Sequence, residues 1–171
     1  MLEYLKNLFK PKQTNAAMAW ASIQNKAGKQ ASNHDKLAYW LYATPVHLVL
    51  QRDTFSLASP VPLSLDTDEL DALTTALNQH FASEEIAFIW HKNTWFLSLP
   101  TNPQISTTAP QAAINKDISA YLPTGEGAVK WASFTNEIQM LLFEHPVNMA
   151  REAKRLPVIN SIWCYGGGQI L

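Results

Sequence analysis

His145, Asn148, Arg151, Arg155, Asn160 and the run Gly166, Gly167 and Gly168 fall within one short stretch of the chain. Together they are of the right types to hold an oxyanion. Arg151 supplies a planar fork of charged donors, Arg155 adds a second charge about one turn on, and three successive glycine amides can close around a phosphate or carboxylate. On a helix, Asn148, Arg151 and Arg155 stand three and four residues apart and share one side. A second reading uses the same residues as braces. In that reading Arg151 pairs with Glu144, Glu152 or the carbonyl end of the preceding helix, and Asn148 and Asn160 tie the segment together by side-chain to backbone bonds.

Other chemistry-bearing residues are less organised. The five histidines, His34, His47, His80, His91 and His145, are scattered singly, with no HxH, HxxxH or DxH pair, so the sequence predicts no metal site and no cofactor. Glu137 and Glu144 are seven residues apart, the spacing of one solvated helix side as much as of an acid/base pair. Cys164 is the lone cysteine. It precludes an intrachain disulfide and, flanked by Trp163 and Tyr165, reads as a small buried apolar residue. Tyr39, Trp40 and Tyr42 have no interleaved Lys or Arg, which favours packing over base stacking. No residue is assigned a catalytic role.

The elements that must position the stretch follow from punctuation and period. His145-Pro146 interrupts an apolar-periodic helix over about 128–144, striped by Trp131, Phe134, Ile138, Leu141 and Leu142, and Pro146 suits the first turn of the next helix. Pro157 stops that helix. Val158, Ile159, Ile162 and Trp163 then read as a buried strand entering a glycine loop. Because Leu156 and Pro157 alone form the turn, helix and strand should fold back on each other, bringing His145, Asn148 and Arg151 together with Gly166 to Gly168.

Upstream, Leu2, Leu5, Leu8 and Phe9 mark an amphipathic helix over 1–10, and 14–30 is a second, Ala-rich helix. Residues 1–36 thus form an N-terminal helical segment, and 37–171 a single α+β domain. After Pro45 the alternation Val46, Leu48, Leu50 marks a strand, with 54–57 as its hairpin partner across Arg52-Asp53. Asp66 or Thr67 caps a helix with Leu70, Leu73, Leu77 and Phe81 on one face. A second hairpin joins 86–91 to 95–99, and 100–113 is a surface loop. The predicted architecture is a four- to five-stranded antiparallel sheet with a ββαββ core, helices packed on one face, and a C-terminal helical corner plus strand.

Composition bounds the function class. The chain has 171 residues, 47% of them hydrophobic and 16% charged, with six tryptophans. It is long enough for one real core. A net charge of −1 provides no overall field for nucleic acid or anionic lipid, so neither is an expected partner. No apolar run approaches a membrane span, and the single cysteine fits a cytoplasmic protein.

The string His145-Pro146-Val147-Asn148, Arg151, Leu156-Pro157, Asn160, Ile162 and Gly166 to Gly168 resembles a segment of archaeal-type cofactor-independent phosphoglycerate mutases. Ala38 to Leu48 and Asn136 to Gly168 resemble still more closely a set of bacterial proteins termed RpfE-type or phosphoglycerate mutase-like. Two positions depart from the mutase pattern, which has Gly where Arg155 stands and Arg where Tyr165 stands. The clustered Asp and His ligands of a two-metal phosphoryl-transfer site do not occur in this sequence, so the resemblance is to the insert domain of such mutases. It implies a non-catalytic regulatory or accessory module that binds an anionic metabolite of phosphate or phosphoglycerate type, a protein partner or a second copy. Its alternative is the substrate-binding portion of a mutase whose metal-dependent domain lies outside this sequence.

Overall fold

A computed structural model describes residues 15–171, and the amphipathic stretch expected over 1–10 lies outside them. Asn15 accepts from the Met18 amide at 3.0 Å and so caps helix α1, Ala16–Lys26. A five-residue helix, α2 (Asn33–Leu37), opens on a Ser32/Asp35 capping box and delivers the chain to strand β1, Tyr39–Val46. There follow β2 (Leu48–Gln51), β3 (Thr54–Leu57), α3 (Thr67–His80), β4 (Ala87–His91), β5 (Thr94–Leu99), α4 (Ala128–Phe143), α5 (Pro146–Ala153) and β6 (Ser161–Gln169). The fold is α+β, and the main sheet is antiparallel in the order β4-β5-β1-β6.

Both hairpins read from alternation form, but they belong to different sheets. The β4/β5 hairpin is half of the main sheet, whereas β2 and β3 form a separate two-stranded sheet, Leu50 opposite Phe55. The strand that completes the main sheet is β1, which the sequence did not mark: the alternation after Pro45 belongs to β2 apart from Val46. Proline obscures it in sequence because it lacks a ladder donor. In the structure Pro45 is tolerated because β5 pairs with β1 only from Tyr39 to Tyr42, so no β5 carbonyl awaits its missing amide, while the Pro45 carbonyl accepts from the Leu63 amide at 3.1 Å.

Alternation along β1 and β5 sorts the core into two layers. Leu41, Ala43, Leu97 and Leu99 face Leu70, Leu73, Leu77, Phe81, Trp131, Ile138 and Leu142, so α3 and α4 cover one face as expected. Leu73 is fully buried there. Trp40 and Phe96 face the other way, onto Ala16, Ala17 and Trp20 of α1, where Trp20 stacks on Trp40 at 5.1 Å. A third cluster lies beneath the β2/β3 hairpin. Some of the expected surface loop is drawn inward: Ala113 joins this cluster, Pro110 is buried, and Trp163 Nε1 donates to the Thr108 carbonyl at 2.8 Å.

The strand after Pro157 also differs from expectation. It begins at Ser161 and continues through Gly166 to Gly168, so the glycines form the second half of β6 rather than a loop. Tyr42 pairs with Tyr165 and Trp40 with Gly168, which sets two residues of β6, Gly166 and Gly167, opposite one of β1, Leu41. Gly166, at φ +66°, supplies the left-handed residue that such a bulge needs.

Candidate functional site

The corner around α5 is built by its own side chains. His145 Nδ1 accepts from the Val147 amide at 3.1 Å, and Pro146 occupies the first helical position, where no amide hydrogen is needed. Burial holds the His145 imidazole below its ordinary pKa, with a backbone hydrogen bond at Ala72 pulling the other way. Asn148, 5% exposed, donates to the carbonyls of Leu142 and Ile159 and accepts from the Ile159 amide. It stitches the end of α4 to the segment that enters β6. Asn160 makes the analogous link to β2: its side chain accepts from the Leu48 amide at 2.7 Å and donates to the Leu48 carbonyl at 2.8 Å. It thereby stands in for a strand partner where the chain passes from β1 into β2.

Arg151 is 5% exposed. Its Nε donates to the Pro157 carbonyl at 2.7 Å, and its Nη1 lies 2.9 Å from both carboxylate oxygens of Glu69, 82 residues away in sequence. The partners named from sequence, Glu144 and Glu152, are not the ones used. Glu69 also belongs to the capping box of α3, accepting from the Asp66 amide, so one carboxylate starts α3 and neutralises α5. A guanidinium buried against a carboxylate and two carbonyls is already satisfied.

Arg155 is exposed and stands just past the end of α5 at φ +56°. Its amide bonds to the Glu152 carbonyl at 2.9 Å and the Leu156 amide to the Arg151 carbonyl at 2.8 Å. These two bonds define a Schellman motif, whose left-handed residue is usually glycine. Arginine here carries a conformation that glycine adopts without strain.

The expectation that the glycines lie beside His145, Asn148 and Arg151 is corrected. Ser161 pairs with Val46 and Gly168 with Trp40, so the glycines occupy the far end of β6 from Asn160 and the α5 corner. A strand rising ~3.3 Å per residue carries them on the order of 20 Å away. Their neighbours there are aromatic and structural. A methyl group on Gly167 would meet the Tyr39 hydroxyl, and one on Gly168 the Asn15 side chain that caps α1. The glycines admit that close approach.

One feature escaped the sequence reading. His80 Nε2 lies 2.6 Å from Glu137 Oε1, joining α3 to α4 at the rim of a cleft of about 690 Å³. Lys130, Phe134 and Glu137, spaced four and three apart, line it, and that spacing was the available signal. Glu144, seven residues beyond Glu137, is exposed and does not line the cleft. Cys164 is buried, and its thiol is pushed up to about 12 by desolvation. Among the described residues no three His, Cys, Asp or Glu side chains group as metal ligands, and no helix is long and apolar enough to cross a membrane.

No protein-family model matches the chain. Over 107 residues, 61% of the chain, it is 25% identical to the 2,3-bisphosphoglycerate-independent phosphoglycerate mutase of Methanosarcina mazei, of which the match spans 27%. The solved structure of the cofactor-independent phosphoglycerate mutase from Thermoplasma acidophilum superposes with a TM-score of 0.56 at 14% identity, covering 78% of this chain and 38% of that one. The chain therefore spans between about a quarter and two fifths of the length of the enzymes it is similar to, and it carries a domain with the fold of a portion of a cofactor-independent phosphoglycerate mutase.

Proposed function

We propose that this chain is a non-catalytic accessory or regulatory module, built like the insert domain of cofactor-independent phosphoglycerate mutases and acting by recognition of a protein partner. The observation that carries the reading is the Arg151–Glu69 pair. The guanidinium best suited to a phosphoryl group is spent inside the fold, and Asn148 and Asn160 likewise bond to backbone within it. These residues thus act as braces, and the module's work falls to its surface.

The test is an assay of the purified protein with Mn²⁺ and 3-phosphoglycerate, together with calorimetry against phosphate and 3-phosphoglycerate. No interconversion and no saturable heat are expected. The second reading, a substrate-binding portion of a mutase whose metal-dependent domain lies elsewhere, draws on the fraction of the longer enzymes that the chain matches. Saturable heat with 3-phosphoglycerate, lost in Arg155→Ala, would establish that reading and overturn the first.

A further inference from the structure

A cleft of about 690 Å³ lies between the α3/β4 connection, the segment after β5 and α4. Its floor is aromatic: Trp131 is almost buried, and Phe134 packs beside it at 5.1 Å between ring centroids. Glu84, Glu126 and Glu137 line it against a single cation, Lys130. Among the described residues neither Glu84 nor Glu126 forms an ion pair, and Glu137 is held through Oε1 by His80.

We propose that this groove docks a peptide segment of a partner protein bearing arginine or lysine. A cationic side chain laid along it would bury its aliphatic stem on Trp131 and Phe134 while its charged head meets the carboxylates. An anionic or purely apolar segment would leave those carboxylates facing like charge or desolvated without a partner. The main chain favours a peptide over a small amine. Thr101 and Asn102 line the same groove, and their backbone groups make no hydrogen bond to other described backbone, so an extended peptide can pair with them. Gly127, where α4 begins, holds the rim in shape: a methyl group there would lie 1.8 Å from the Pro103 carbonyl oxygen.

This inference rests on the reading of the chain as a recognition module, and the test separates the two. The probe is a fluorescein-labelled pentapeptide, Ala-Arg-Leu-Arg-Ala, followed by anisotropy at low salt, with the citrulline peptide and spermidine as comparison arms. Saturable binding of the arginine peptide is expected, weakened about tenfold by the double variant Glu126→Gln/Glu137→Gln and unchanged by Glu152→Gln on α5, since each exposed charge contact is worth a factor of a few. Three results would overturn the docking site: no saturable binding, equal loss in the Glu152→Gln control, or binding of spermidine without the peptide. The mutase assay on the same preparation then reports on the module reading alone.

Discussion

Replacing Arg155 by glycine should stabilise the protein. Arg155 holds φ +56° at the residue where α5 turns off, and its exposed side chain makes no hydrogen bond or ion pair among the described residues. A left-handed conformation costs a residue with a Cβ about 1–2 kcal/mol. Glycine removes that strain but gains freedom in the unfolded chain, which returns about 0.4–1 kcal/mol. Removing a positive charge from a helix C-terminus costs a few tenths of a kcal/mol more, roughly 0.3. The net gain is about 0.5 kcal/mol, which for a chain of this size raises Tm by roughly 1–2 °C. Arg155→Ala is the decisive control. It loses the same charge yet keeps the strain, so it should melt at or slightly below the wild-type temperature, about 1 kcal/mol less stable than the glycine variant. Differential scanning calorimetry of the three proteins measures this, and glycine and alanine variants melting together would refute the backbone argument.

Glu69→Ala should cost about 3 kcal/mol by urea unfolding, because Arg151 is left charged and buried without its counter-ion and α3 loses half its capping box; a loss below ~1 kcal/mol would mean that Arg151 finds another partner. Gly167→Ala should cost more than about 1 kcal/mol, since the new methyl group would meet the Tyr39 ring and hydroxyl, and an unchanged thermal midpoint would show that Tyr39 moves aside freely. His145 contributes a pH dependence of definite sign. Its folded pKa lies below the ordinary 6.5, so the unfolded chain binds the proton more readily. Stability from this residue is complete above pH 6.5 and falls as the pH drops from there toward the folded value. Urea midpoints from pH 7.5 to 5 should decline more steeply for wild type than for His145→Asn, which keeps a capping side chain; parallel curves would remove His145 from the account.

The sequence by itself determined the elements whose signals are local. The cap of α3 at Asp66, the stripe of Leu70, Leu73 and Leu77, the corner at His145-Pro146 and both hairpins follow from side chains within a few residues of one another, and all are present. The α+β class follows from their order. What only the tertiary structure decided depends on long-range pairing. Pro45 hid β1 because its tolerance rests on where β5 stops. The glycine triplet reads as a loop until β1 is placed beside it, since a bulge exists only relative to a partner strand. The site was the least legible region for the same reason. Arg151 carries the same charge whether it faces solvent or Glu69, and nothing in its neighbourhood announces a carboxylate 82 residues away. Local propensity acts through the backbone of a few residues, whereas the partner of a buried charge is chosen by the packing of α3 against α5.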